Sequence, residues 1–193
     1  MLSEEQRDRL LKLLKLPSSS KLPRVEEISE DEIRKTFEKL EREDIRLVYE
    51  VLLYSGCRLS EALKLLSSFD PKRFKKLNAE YGRYQLFSER GSKRALWLYL
   101  PLELASKLAD TRMSLTRHAV YTYARRRGIL PPKMIRKFFY QLAYDILHDR
   151  ELVDFYQGRI SRLSIGSRHY DSLLARADKE YEKILGELRR LVP

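Results

Sequence analysis

Two aromatic, β-prone segments interrupt a sequence that otherwise has helical patterns. Residues 81–87 and 95–100 are rich in tyrosine and leucine, and the basic stretch 88–94 separates them. Two strand-like runs joined by a polar connection of this length predict an antiparallel β-hairpin with a basic tip. Because the segments before and after this pair have helical patterns, we expect a mainly α fold with one small antiparallel β-sheet.

Capping signals divide the remaining sequence into helices. Ser29 and Glu32 form a capping box, so a helix is predicted to begin there and to run through Leu40. Gly56 is placed to end a second helix, and Gly128 to end a later one. The predicted helices after the first cover residues 43–55, 59–66, 101–109, 114–127, 132–147, 150–156 and 168–190.

The first 22 residues differ in character from the rest of the chain. A short helical pattern over 4–15 is followed by the segment 17–23, whose prolines and serines are typical of a linker. We therefore expect residues 1–22 to be a linker or the remnant of another domain. Residues 23–193 are expected to form one globular domain, since the 43% of hydrophobic residues in the chain suffices for a core.

Cysteine usage and hydropathy exclude several classes of protein. Cys57 is the single cysteine, so an internal disulfide is excluded. No stretch of the sequence is long and apolar enough for a signal peptide or a membrane span. The predicted localisation is therefore cytoplasmic. We interpret Cys57 as a small packing residue of the core rather than a reactive thiol.

Positive charge is concentrated in two segments. Residues 112–170 contain twelve basic and four acidic residues, a net charge of +8, and residues 71–94 contain eight and two, a net charge of +6. The whole chain carries +11, so the remaining residues sum to −3. Such segregation favours a polyphosphate partner. The alternative interpretation is a set of solvated helix faces.

Four short sequence boxes carry the chemistry. They are Gly56-Cys57-Arg58-Leu59-Ser60-Glu61, Lys133-Met134-Ile135-Arg136, Asp154-Phe155-Tyr156-Gln157-Gly158-Arg159 and Ser167-Arg168-His169-Tyr170, with the hairpin after the first. In this order the chain resembles the catalytic domain of the tyrosine recombinases, whose pattern is Arg, Lys, His-x-x-Arg, Gly-His or Gly-Trp, and Tyr. Lys133 stands where most members have His, and Arg159 where most have His or Trp. In both departures the chain is similar to the integrases of archaeal fuselloviruses and plasmids.

The resemblance implies the tyrosine recombinase catalytic-domain fold and an activity. That activity is cleavage and rejoining of duplex DNA through a covalent 3′-phosphotyrosyl intermediate, for integration or excision of a viral or plasmid element, without ATP or a metal cofactor. Tyr170 is the predicted nucleophile, and Tyr156 and Tyr181 are its rivals, because the chain has 12 tyrosines. Two guanidiniums can hold the nonbridging phosphate oxygens bidentately, and Arg58 and Arg136 are the candidates.

Three further catalytic positions follow from the same resemblance. Lys93 on the hairpin tip is expected to give a proton to the leaving 5′ oxygen, and Arg90 takes its place if the alignment shifts. Lys133 is expected to contact the same phosphate or to help accept the tyrosine proton. Arg159 is expected to donate a further hydrogen bond to that phosphate.

The resemblance also implies partners. These are double-stranded DNA and further copies of the chain, from dimer to tetramer, and residues 1–22 would then be the remnant of an N-terminal core-binding domain. The long C-terminal helix is expected to pack on its own core or on a neighbouring protomer, and the sequence leaves both open. The predicted DNA-contacting residues are Arg90, Arg117, Arg125, Arg126, Arg127, Lys137, Arg162 and Arg168.

Two other functions are compatible with the same sequence features. A type IB topoisomerase uses the same tyrosine chemistry but relaxes supercoils without exchanging partners. A non-catalytic helical DNA-binding module would use the basic surface for phosphate contacts alone. Glu61 is placed one turn after Arg58 and either orients its guanidinium or forms an ordinary surface pair.

Overall fold

Helices dominate the architecture, and one small sheet lies among them. The computed structural model describes residues 27–90, 93–159 and 167–192, with the backbone alone at 87–90, 93–96, 167 and 168. The helices are α1 (Glu30–Glu38), α2 (Glu43–Ser55), α3 (Leu59–Ser68), α4 (Leu102–Asp110), α5 (Arg117–Arg127), α6 (Pro132–Leu147), α7 (Arg150–Tyr156) and α8 (Ser167–Arg189), with a 3₁₀ turn at Pro71–Arg73. The strands are β1 (Phe74–Lys76), β2 (Tyr81–Arg90) and β3 (Lys93–Pro101). The predicted mainly α class with a small antiparallel sheet is confirmed.

Local capping explains where the first helices begin and end. The Ser29 hydroxyl accepts a hydrogen bond from the backbone N–H of Glu32, and the Glu32 carboxylate accepts one from the N–H of Ser29. This is the predicted capping box, and it starts α1. Helix α2 ends at Gly56, whose φ of 60° is the left-handed conformation that favours glycine. The turn at Gly56 places Arg58 at the N-terminus of α3.

The sheet is antiparallel with the order β1-β2-β3. Strands β2 and β3 form the predicted hairpin, but the predicted seven-residue tip is wrong, because pairing continues to Arg90 opposite Lys93. Backbone hydrogen bonds hold the polar residues near the tip in the ladder, which a sequence pattern based on apolar residues does not register. An irregularity in the register between Gln85 and Ser88 accompanies the extension. Strand β1 was not predicted, because it is three residues long and two of them are lysines.

Helix α2 lies at the centre of the core. Every residue of α2 from Leu47 to Ser55 is buried, and the helix packs against α3, α6, α8 and β3. Each fully buried Leu or Ile side chain contributes roughly 1.5–3 kcal/mol relative to an exposed one. The apolar stripe of α8 closes the same core through Leu173, Ile184, Leu185 and Leu188, all within this chain. Helix α8 therefore packs on the core of its own chain, and packing on a neighbouring protomer stays a prediction.

Several expectations fall on the N-terminal segment. The predicted helix over 4–15, the linker over 17–23 and the domain boundary near Leu22 lie outside the described residues. Within residues 27–90, 93–159 and 167–192, none of the helices combines the length and apolar character needed to cross a membrane.

Candidate active site

Arg58 is held at the start of α3 by a carboxylate one turn away. Its Nη1 donates to Glu61 Oε1 at 2.6 Å, and its backbone N–H donates to Glu61 Oε2 at 2.6 Å. Glu61 is almost fully buried, with 3% of its surface exposed. The Nη2 of Arg58 reaches the carbonyl oxygen of Gly158 at 3.4 Å. A guanidinium fixed from two sides presents its remaining N–H groups in one direction, which favours bidentate binding of an oxyanion.

Arg136 lies on α6 and is held by Gln157. Its Nη2 donates to the Gln157 carbonyl at 3.0 Å, and its Nε donates to the side-chain Oε1 at 3.4 Å. The Gln157 amide donates in return to the carbonyl of Arg136 at 2.8 Å. Burial, and then the nearby positive charge of Arg58, lower the pKa of Arg136 to about 10, so the guanidinium remains protonated at neutral pH.

The segment that ends α7 brings a third arginine to the same place. Arg159 Nη1 lies 3.5 Å from Asp154 Oδ1, and its guanidinium stacks over the Tyr140 ring with 4.7 Å to the centroid. Its charge also contributes to the lowered pKa of Arg136. Three guanidiniums therefore share one region of the molecule, with Glu61 and Asp154 as their carboxylate partners. This is an electrostatic arrangement suited to an anion.

An open cleft of about 260 Å³ lies over Arg58 and Arg136. The first turns of three helices supply much of its lining, with Leu59 and Ser60 from α3, Arg117 from α5, and Pro132 and Lys133 from α6. The N-terminus of a helix carries partial positive charge and free backbone N–H groups. The cleft therefore combines lysine and arginine side chains with the positive ends of three helix dipoles, which is the environment that a phosphate group prefers.

Tyr170 lies in the first turn of α8 and is partly buried. Its hydroxyl oxygen accepts a hydrogen bond from Trp97 Nε1 at 3.1 Å. Its ring packs against Phe155 with 5.6 Å between centroids. Phe155 belongs to α7. It lies two residues before Gln157, the residue that holds Arg136. The end of α7 therefore contacts both the tyrosine and the arginine pair.

Comparison with known families assigns the chain to one of them. The family model of the archaeal phage integrases matches residues 26–187. The chain belongs to this family. The predicted membership in the tyrosine recombinases is thereby confirmed. A comparison with curated proteins found no significant match.

Two solved structures share the fold of this archaeal phage integrase domain. XerH site-specific recombinase bound to its difH substrate before cleavage has a TM-score of 0.51 at 20% identity, over 78% of this chain and 50% of that chain. XerH bound to a palindromic difH substrate after cleavage has a TM-score of 0.54 at 18% identity, over 82% and 54%. The chain spans about half the length of these relatives. At this identity the likeness establishes the fold, and the predicted catalytic-domain fold is confirmed.

The rival tyrosines lie in the core. The Tyr156 hydroxyl donates to the Ala177 carbonyl at 2.8 Å, and the Tyr181 hydroxyl donates to the Tyr54 carbonyl at 2.8 Å. Their exposed fractions are 2% and 0%, and burial raises the pKa of both well above the usual value. A hydroxyl that is buried, bonded and difficult to ionise is poorly suited to attack DNA. These contacts favour Tyr170 over both rivals.

The remaining predicted basic residues differ in where they lie and in how much of them the structure describes. Lys133 is exposed at the edge of the cleft, and Lys137 is partly buried on the same helix. Arg90 and Lys93 face each other in register at the end of the hairpin, where the backbone alone is described. Arg162 lies outside the described residues, and the side chain of Arg168 does as well. Arg117, Arg125, Arg126 and Arg127 lie exposed on α5, and Arg127 pairs with Glu41.

Sequence reasoning missed two contacts of this site. Gln157 was part of a recognised box. Its hydrogen bonds to Arg136 were missed because the two residues are 21 positions apart in the sequence. Trp97 was interpreted only as a strand residue, although it is the single tryptophan of the chain and could have been singled out for that reason. Cys57, by contrast, is buried as expected, and burial raises the pKa of its thiol to about 12.

Proposed function

We propose that this chain is the catalytic domain of a site-specific DNA recombinase. It cleaves and rejoins duplex DNA through a 3′-phosphotyrosyl intermediate during integration or excision of a viral or plasmid element. The observation that carries the proposal is the end of α7, which contacts Tyr170 through Phe155 and accepts hydrogen bonds from Arg58 and Arg136. Membership in the archaeal phage integrase family supports it.

The arginines bind the scissile phosphate in this proposal. Attack on a phosphodiester builds negative charge on the nonbridging oxygens, and Arg58 and Arg136 are oriented to pair with them. Arg159 donates a further hydrogen bond to the same group. The helix N-termini around the cleft add fixed positive potential that needs no reorganisation during the reaction. Lys133, at the edge of the cleft, contacts the phosphate or accepts the tyrosine proton.

The covalent step exchanges one phosphoester for another. The Tyr170 oxygen forms a bond to phosphorus, and the bond from phosphorus to the 5′ oxygen breaks. The tyrosine passes its proton to a base, for which Lys133 is the candidate, and Lys93 gives a proton to the leaving 5′ oxygen, with Arg90 as the alternative donor. Attack of a 5′ hydroxyl on the phosphotyrosine reverses the step and reseals the strand. Since bond energy is conserved in the intermediate, no external energy source enters this balance.

DNA is the proposed partner. The similar XerH structures contain that recombinase bound to its difH substrates, and this chain has exposed arginines along α5 beside the cleft. We extend the proposal to assembly of two to four copies on DNA and to action in the cytoplasm. Residues 1–22 are proposed to be a linker or the remnant of a core-binding domain.

A direct test is to trap the covalent adduct. The protein is incubated with nicked duplex DNA, the complex is digested, and the modified peptide is mapped by mass spectrometry. We expect a phosphotyrosine at Tyr170, loss of the adduct in Tyr170→Phe, and normal adduct formation in Tyr144→Phe, which removes an exposed hydroxyl. Salt-sensitive DNA binding without any adduct would contradict the proposal and favour a binding module. Relaxation of supercoiled DNA without partner exchange would instead favour a topoisomerase.

A further inference from the structure

Trp97 makes a side-chain contact that joins the sheet to the proposed nucleophile. Its indole Nε1 donates to the hydroxyl oxygen of Tyr170 at 3.1 Å. An indole N–H is a donor only, so the direction of this bond is fixed. The tyrosine oxygen accepts, and its own proton is directed away from Trp97. The two residues are 73 positions apart, so the contact depends on the packing of α8 against β3.

Trp97 is in turn held by Arg83 of β2. The Arg83 guanidinium lies over the indole with 4.5 Å from its carbon to the ring centroid. The register pairs Arg83 with Tyr99, so Trp97 is its diagonal neighbour on the same face of the hairpin. Tryptophan is the aromatic side chain that forms the strongest cation–π contacts. The indole plane is therefore fixed by the adjacent strand.

The same guanidinium of Arg83 is anchored on α8. Its Nη1 donates to both carboxylate oxygens of Asp178, at 2.6 and 2.8 Å, and the Tyr99 hydroxyl donates to the same carboxylate at 2.7 Å. Asp178 and Tyr170 lie eight residues apart on α8, about 12 Å along its axis. Helix α8 thus contacts the hairpin at Tyr170 and again at Asp178.

We propose that Trp97 is a positioning residue for the nucleophile Tyr170. It holds the phenol oxygen in place and stabilises the negative charge that develops there as the proton leaves. This inference rests on the function proposed above. A hydrogen bond to a neutral hydroxyl becomes a charge-assisted one as the oxygen ionises, so the contact favours the reactive form. Once the oxygen is esterified it is a weaker acceptor, and the indole contact weakens.

The fluorescence of Trp97 reports on this contact without any reaction. Because Trp97 is the single tryptophan, emission excited where tyrosine does not absorb comes from this side chain alone. In the protein without DNA, Tyr170→Phe removes the acceptor and is expected to shift the emission maximum, whereas Tyr144→Phe is expected to leave it unchanged. Identical spectra for Tyr170→Phe and the wild type would overturn the inference.

The rate of adduct formation tests the catalytic part. Trp97→Phe keeps an aromatic ring over Arg83 and loses the N–H donor. Under single-turnover conditions with nicked duplex DNA, it is expected to slow the adduct roughly 10- to 100-fold, the value of one hydrogen bond to a charged group, with unchanged DNA affinity. Tyr84→Phe is the control for stability, since it removes a bonded hydroxyl from the same sheet. It is expected to retain the wild-type rate even if it melts earlier.

The outcomes separate the two proposals. A reactive wild type with Trp97→Phe equally fast would overturn this inference alone. If Trp97→Phe is slow but Tyr84→Phe, contrary to expectation, is slowed to the same extent at a similar loss of melting temperature, that outcome would also overturn it. If Trp97→Phe does not fold, Asp178→Asn replaces it. This variant is expected to shift the Trp97 emission and to form the adduct more slowly at unchanged DNA affinity. If it shows neither effect, the inference is overturned. A wild type that forms no adduct would overturn the proposed function and the catalytic part of this inference, whatever the emission shows.

Discussion

Glu50 is a buried carboxylate that does not line the cleft of the proposed chemistry. It sits on α2 with 4% of its surface exposed, and its Oε2 lies 3.6 Å from Lys107 Nζ. Burial raises its pKa above the ordinary value of 4.5, and Lys107 offsets part of that effect. An acid with a raised folded-state pKa ionises first in the unfolded chain. Its contribution to stability is therefore present below pH 4.5 and is lost as the pH rises through the folded-state pKa.

We expect Glu50→Gln to stabilise the protein at neutral pH. The neutral amide avoids the desolvation of a charge, so the free energy of unfolding should rise by on the order of 1 kcal/mol, and the gain should vanish near pH 4. Urea unfolding at both pH values measures this. Lys107→Met is the opposing control, because it leaves the carboxylate without its counter-ion and should destabilise at neutral pH. A Glu50→Gln variant that loses stability only at neutral pH would contradict the argument.

How far single residues could be predicted depended on sequence separation. The pairing of Arg58 with Glu61 was foreseeable, since an i, i+3 spacing at a helix start places the two side chains together. The hydrogen bonds of Gln157 with Arg136 and of Trp97 with Tyr170 could not be foreseen, because each joins segments that are distant in sequence. Residue type and order identified the catalytic candidates. The residues that hold these candidates in place, Gln157 and Trp97, could be identified only from the three-dimensional packing of the chain.

The junction between α2 and α3 depends on the absence of a side chain. Gly56 has φ of 60°, and a Cβ added there would lie 2.3 Å from Phe139 Cδ1, far inside van der Waals contact. Gly128 ends α5 with the same φ of 60°, yet a Cβ there meets nothing within 4 Å. The two positions therefore share a backbone conformation and differ only in their surroundings.

This difference predicts unequal costs for the same substitution. Gly128→Ala should destabilise by about 1–2 kcal/mol, the cost of a left-handed residue with a side chain. Gly56→Ala carries that cost and a clash in the core, and we expect about 2–5 kcal/mol in total. Denaturant unfolding of both variants measures the difference. Equal losses would mean that Phe139 moves aside without cost.

Elements were predicted well where their ends are marked by local chemistry. The capping box at Ser29 and the glycine at 56 set helix boundaries that the structure reproduces. The hairpin was predicted with strands that are too short, since its polar residues are held by backbone pairing rather than by apolar alternation. Strand β1 has too few residues to show any period.

Charge across the molecule is arranged for an extended anion. The net charge of +11 is concentrated in segments that contribute Arg117 and Lys133 to the cleft and Arg125 and Arg126 to the exposed surface of α5. Each phosphate contact releases a condensed counterion, so binding to DNA should weaken as salt rises, with a slope of about −0.9 per contact in a double-logarithmic plot. The salt dependence of DNA binding therefore measures how many positive charges of the surface contact phosphates.

Removing two of these charges should flatten that slope. We expect the double variant Arg125→Gln, Arg126→Gln to reduce its magnitude by up to about 2, with weaker binding to every duplex sequence. Fluorescence anisotropy at several salt concentrations measures it. Arg34→Gln and Arg190→Gln are matched controls, since both arginines are exposed, pair with a glutamate on their own segment and lie outside the cleft. An unchanged slope would place the DNA elsewhere.

Helix α8 would carry the DNA strand in the proposed intermediate. It is 23 residues long, about 35 Å, with Tyr170 near its start and Tyr181 and Leu188 fully buried further along. A DNA strand joined to Tyr170 would be tethered to this rod. Tension in the strand would be transmitted along the helix to the interior of the domain. The ion pair of Asp178 with Arg83 would hold the helix against the sheet. The broken end would then move only as far as the protein that carries it.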